Sequence, residues 1–131
     1  MRKDFNYYSW PEFEEDCLKI MVWAKKKNFK SIYGVPRGGL ILAIKLSHLL
    51  DLPLILSKDD VMRKTLIVDD IVDTGGTLER LFHSLGNKFQ VVSIYKGDDP
   101  KVKPDFYLHQ KKKWVIFPWE TDQTSKYDSE F

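Results

Sequence analysis

Within the string LIVDDIVDTGGTL, Leu66 to Leu78, groups that recognise a sugar and groups that recognise a phosphate follow one another in one short segment. An apolar run delivers two adjacent carboxylates, Asp69 and Asp70, and charges placed there are costly unless something compensates them. Carboxylates in that position suit ribose hydroxyls or a hydrated Mg2+. Asp73 then opens a turn in which Gly75 and Gly76 permit close backbone approach, while Thr74 and Thr77 add hydroxyl donors. Backbone N–H groups at the start of a following helix, with its dipole, form a seat for a phosphate monoester. A Walker loop is excluded because no Gly-Lys-Ser/Thr ending is present, and G-x-G-x-x-G does not occur.

The elements around this segment must hold it at one edge of a sheet. Ser9 and Glu12 form a capping box with Pro11 in the first turn, so a helix is predicted from Trp10, with Phe13, Cys17, Ile20, Met21 and Ala24 on its buried face. Ser31 to Val35 is β-prone, Pro36-Arg37-Gly38-Gly39 is a turn, and LILAIKLSHLL has helical length and an apolar face. Pro53 to Leu56 reads as a second strand and Thr65 to Asp69 as a third that is buried on both faces. The pattern breaks from Asp70 to Gly75, then Gly76 to Leu85 reads as a helix ending near Gly86. Phe89 to Tyr95, Asp105 to Leu108 and Trp114 to Phe117 complete the strands, the last two separated by the polar run His109 to Lys113. Alternating strands and helices imply an α/β fold with a central, mainly parallel sheet flanked by helices, whose ligands sit beyond the strand C-termini. The PRGG and DTGGT breaks both follow strands and precede helices, so both belong on that edge.

The chain of 131 residues suits one domain spanning 1–131, and 43% apolar content is enough for one packed core. With 21 basic and 19 acidic residues, the charge balance supplies no argument for a nucleic-acid or membrane partner. The single cysteine, Cys17, excludes an intramolecular disulfide and suits the cytoplasm. Neither a signal peptide nor a membrane span is indicated.

DDIVDTGGT resembles the phosphoribosyl pyrophosphate signature of the type I phosphoribosyltransferases, and the match is uninterrupted. The resemblance implies that Asp69 and Asp70 hold the ribose hydroxyls and Mg2+, that Asp73, Thr74, Gly75, Gly76 and Thr77 cradle the 5′-phosphate, and that Asp73 exchanges a proton with the base. PRGG resembles the family's pyrophosphate loop, which points to Arg37 and Gly38. Lys96 and the segment Trp114-Val115-Ile116-Phe117-Pro118-Trp119-Glu120 resemble the base-binding parts of the 6-oxopurine subgroup. By that likeness Lys96 donates to the purine O6, Trp114 stacks on the ring, Val115 offers main-chain groups, and Glu120 helps hold Mg2+ or pyrophosphate. Tyr8-Ser9-Trp10 resembles the subgroup's opening residues, and the C-terminal segment should form a small hood over the base.

What the family implies is a purine salvage enzyme, a Mg2+-dependent homodimer that transfers the phosphoribosyl group of phosphoribosyl pyrophosphate to guanine, xanthine or hypoxanthine. One departure stands out. Family members carry a long mobile loop with a Ser-Tyr pair between the second and third strands, whereas SKDDVMRK, Ser57 to Lys64, is short and lacks that pair. Lys58, Arg63 and Lys64 are its candidates for reaching pyrophosphate. Two rival readings share the same residues: a phosphoribosyltransferase for another base, and a non-catalytic nucleotide-binding regulator of the same fold. The polar stretch 121–131 carries Tyr127 and Phe131, and both disorder and packing on a partner subunit are open to it.

Overall fold

The computed structural model describes residues 4–125; Tyr127 and Phe131 lie outside the described residues. The chain runs β1 (Phe5–Tyr7), α1 (Trp10–Lys25), β2 (Ser31–Gly34), α2 (Gly39–Leu50), β3 (Leu54–Ile55), β4 (Thr65–Val72), α3 (Gly76–Leu85), β5 (Val91–Lys96), β6 (Phe106–Gln110) and β7 (Trp114–Ile116). Strands β3-β2-β4-β5-β6 form a sheet in which every pairing is parallel. This is the α/β architecture that the alternation of patterns required. No helix among the described residues is long and apolar enough to cross a membrane.

The local signals act as expected. Ser9 Oγ accepts from the Glu12 N–H at 3.3 Å and starts α1 at Trp10. Gly86, at φ 71°, takes the left-handed conformation that ends α3, its N–H reaching the Phe82 carbonyl at 2.9 Å. Helices α1 and α2 cover one face of the sheet, packing Phe13, Ile20, Leu42 and Leu46 against Leu66, Val68, Val92 and Ile94. On the other face α3 lays Leu78 and Phe82 over Tyr33, Ile67 and Val91. Met21, expected on the buried face of α1, is half-buried, and Asp16 takes a buried place there instead. The Asp16 carboxylate is compensated, because Oδ2 accepts from the Tyr8 hydroxyl at 2.5 Å and lies 2.7 Å from His109 Nε2. That pairing keeps His109 inside β6, which runs on to Gln110 where a polar connection was expected.

Two further elements depart from the sequence reading. Strand β4 does not stop at Asp69: Asp69, Ile71 and Val72 pair with Ser93, Tyr95 and Lys96, so β5 supplies a ladder for three residues more. The hood is not built from the C-terminal segment alone. It is a two-stranded parallel sheet in which Phe5, Asn6 and Tyr7 of β1 pair with Trp114, Val115 and Ile116 of β7.

Cys17 is fully buried, and desolvation pushes its thiol up to about 12 from an ordinary value of 9.0. The folded state therefore favours the protonated thiol. Its contribution to stability is present below pH 9.0 and is lost as the pH rises toward about 12. At pH 8 the native chain should not react with a thiol reagent on the timescale that labels the urea-unfolded chain at one site; equal labelling rates would contradict the burial.

Candidate active site

A cavity opens beyond the C-terminal ends of the strands and is lined by Val35, Pro36 and Gly38, by the run Asp69 to Leu78, and by Lys111, Trp114, Val115, Phe117, Glu120 and Ser125. It draws on the loop after β2, on β4 running into the start of α3, and on the hood, so three separate stretches of chain meet in it.

The carboxylates enter on β4. Asp70 is buried and Asp69 half-buried, and local hydrogen bonds offset part of the cost: the Asp70 N–H donates to Asp69 Oδ1 at 2.9 Å and the Ile71 N–H to Asp70 Oδ1 at 2.7 Å. Gly75 adopts φ 80°, which a side chain would resist, and it starts α3 without any side-chain cap. The Gly76 N–H donates to Thr74 Oγ1 at 3.3 Å, and the residues that open α3 line the cavity, so the positive end of the helix dipole lies where an anion would sit. The turn is braced from outside: the Lys101 N–H donates to the Thr74 carbonyl at 2.7 Å, and a Cβ on Gly75 would lie 2.6 Å from the Val102 nitrogen.

The second loop lies across the cavity. Its Pro36–Arg37 peptide bond is cis. Gly38 lines the wall, and Gly39 sits so close to β4 that a Cβ would stand 2.5 Å from the Val68 carbonyl oxygen. In the hood, Trp114 is 40% exposed with one edge fixed by its indole Nε1, which donates to Ser125 Oγ at 3.0 Å. Val115 is buried in the middle of β7.

Two expected residues, Arg37 and Lys96, do not line the cavity. The Arg37 guanidinium turns from the cavity toward the Thr124 carbonyl, 3.5 Å away. Lys96 ends β5, but its ammonium donates to the Gly97 carbonyl at 2.8 Å and stands 5.3 Å from the centre of the Tyr107 ring, outside the cavity wall. Both are long side chains whose ends have found nearby carbonyls. Glu120 does line the wall, yet Oε1 accepts from the Phe117 N–H at 2.9 Å and so serves the turn after β7. No residue of 57–64 lines the cavity; Lys58 reaches Ser84 Oγ on α3 at 3.4 Å. The residue that sequence reasoning missed is Lys111, whose Nζ donates to Asp73 Oδ2 at 2.6 Å. It is one of three consecutive lysines, and no spacing or pattern distinguishes it from its neighbours.

No protein-family model matches the chain. A purine phosphoribosyltransferase from Pyrococcus horikoshii has a similar structure, with a TM-score of 0.78, 32% identity, and coverage of 90% of this chain and 95% of that one. The chain belongs to the type I phosphoribosyltransferase family. A xanthine-guanine-hypoxanthine phosphoribosyltransferase from Helicobacter pylori agrees, at a TM-score of 0.77 and 27% identity over 93% of this chain and 97% of that one. Among curated proteins, a xanthine-guanine phosphoribosyltransferase from Desulfotalea psychrophila is 28% identical over 138 aligned positions, spanning 87% of this chain and 85% of the relative. The phosphoribosyltransferase fold expected from DDIVDTGGT is thus the fold observed, a parallel sheet flanked by helices.

Proposed function

We propose that this phosphoribosyltransferase moves the 5-phosphoribosyl group of phosphoribosyl pyrophosphate to a 6-oxopurine, releasing a purine nucleoside monophosphate and pyrophosphate in purine salvage. The observation that carries the reading is the meeting of Asp69 to Leu78 with Trp114 and Val115 across one cavity, since donor and base must react face to face. The 5′-phosphate would sit on Thr74 to Thr77 at the start of α3, and Asp69 and Asp70 would take the ribose hydroxyls. The pyrophosphate would lie against the backbone of Gly38, and the base on Trp114 and Val115.

No covalent nucleophile is needed. Leaving-group departure makes the ribose cation-like, and the protein's task is to hold donor and base in line and to meet the separating charges with fixed dipoles and carboxylates. Asp73 takes the proton that the purine ring nitrogen loses as the new bond to ribose forms. Mg2+ suits the donor set in one form. Among the described residues no three His, Cys, Asp or Glu side chains gather as a metal cage, but Mg2+ keeps most of its water and needs one or two carboxylates when a pyrophosphate supplies the rest. Asp69 and Asp70 fit that requirement, and Glu120, engaged with the Phe117 N–H, fits it less well. When bound, the ion neutralises the leaving pyrophosphate. We further propose that residues 1–131 act as one domain, and that the enzyme works in the cytoplasm as a homodimer.

Pyrophosphate release, followed with donor, Mg2+ and a panel of bases, tests the reading. Turnover is expected with guanine, xanthine or hypoxanthine. Turnover confined to orotate or uracil would change the acceptor, and nucleotide binding without release on any base would mean a regulator.

A further inference from the structure

The ammonium of Lys111 makes two contacts in the cavity. It donates to Asp73 Oδ2 at 2.6 Å, and it stands 4.8 Å from the centre of the Trp114 ring. Those are the two surfaces on which the reading above seats a base, a carboxylate for its N–H and an aromatic face for its ring. Asp73 has little else to offer. A Cβ on Gly97 would lie 2.6 Å from Asp73 Oδ1, so that oxygen is turned against the backbone of Gly97 and Oδ2 is the one held by Lys111. The Lys111 side chain is 19% exposed, against 47% for Asp73, so the ammonium is the more deeply seated partner.

We propose that Lys111 is a built-in competitor for the base site: its ammonium keeps the place of the base, and a base enters by displacing it from Asp73 and Trp114 together. The proposal rests on the base-site reading above. The main chain can stay where it is, because the Lys111 N–H is anchored to the Lys96 carbonyl at 2.8 Å and the four-carbon side chain alone must swing outward. Once in water the ammonium is well solvated. What it leaves behind sets a requirement on the ligand. An entering molecule must present an N–H to Oδ2, or the carboxylate loses its partner, and a flat π face to Trp114, or the indole stays uncovered. A ring that turns an acceptor toward Oδ2 replaces an attraction by a lone-pair repulsion. Lys111 therefore charges every ligand the same displacement cost, and ligands able to make both replacement contacts recover it.

Lys111→Met removes the charge and keeps the chain length. Its apparent KM for the preferred 6-oxopurine should fall about five- to tenfold, the combined weight of a partly exposed ion pair and a cation over an indole, and the KM for phosphoribosyl pyrophosphate should not follow. Lys111→Arg restores a cation and should return the base KM toward the wild-type value. A higher base KM in Lys111→Met would mean that the ammonium serves the bound base, and would overturn the proposal. So would an unchanged base KM, or equal shifts in both constants, which would mark a structural role. Absence of wild-type turnover on any purine would defeat the proposed function and not this inference, because calorimetric titration with hypoxanthine, which keeps its ring N–H, decides it separately. Tighter binding to Lys111→Met than to wild type supports displacement, and equal or weaker binding refutes it.

Discussion

Asp73→Asn lowers the rate of pyrophosphate release by about 10²- to 10⁴-fold, the range for loss of a positioned proton acceptor, while donor affinity stays within a few-fold of wild type. Asparagine is nearly isosteric, so the side chain still fits against Gly97, where Oδ1 now lies. What is lost is the ability to take the purine proton. The phosphate seat is made by Thr74 to Thr77 and by the N–H groups opening α3, none of which depends on the Asp73 carboxylate. Single-turnover pyrophosphate release beside a calorimetric titration with donor separates the two effects. Turnover equal to wild type would remove Asp73 from proton transfer. The same substitution also frees Lys111 from its ion pair, so the base KM is not the quantity to read here; the chemical step is.

Gly39→Ala should damage both the fold and the donor site. The added Cβ would stand 2.5 Å from the Val68 carbonyl oxygen and 3.0 Å from the Asp69 Cα, backbone atoms that cannot rotate aside. Helix α2 must then retreat from β4, at a cost of about 1–3 kcal/mol for overpacking. The retreat carries Gly38 away from Asp69, and the KM for phosphoribosyl pyrophosphate should rise by about tenfold or more, because misplacing a positioning group by a fraction of an ångström is enough. Gly86→Ala is the control. It strains a residue at φ 71°, with open space around its Cβ and no part in the cavity wall, so it lowers the melting temperature without raising the donor KM. If Gly39→Ala matched this control in both measurements, Gly39 would be a stability position and nothing more.

The parts of this molecule that could be read from its sequence are those fixed by neighbours in the chain. The Ser9 cap, the Gly86 terminator and the strand-turn-helix around DTGGT each depend on residues within a few positions, and each stands where it was expected. The end of β4 depends on β5, and the place of His109 depends on Asp16 in a distant helix. No window of sequence contains both partners of either pair. The same holds inside the cavity. Short, stiff groups such as Asp70 and Gly75 were assigned from type and spacing, and the backbone takes them to the wall. Arg37, Lys96 and Lys111 end in long flexible stems, and where each charge rests is set by the acceptor it meets in the folded state: the Thr124 carbonyl, the Gly97 carbonyl and the Asp73 carboxylate. Strand β1 is three residues long and carries no periodic signal of its own. It exists because β7 offers it an edge.

That small pairing sets an order of assembly. Every strand of the central sheet lies between Ser31 and Gln110, so the sheet and the loops at its edge can form while the chain is still being made. Phe5 to Tyr7 precede the whole central sheet in the chain and must wait for Trp114 to Ile116, which follow it, before they have a partner. A nascent chain can thus hold a formed phosphate loop with no ceiling above it, and base recognition comes after phosphate recognition.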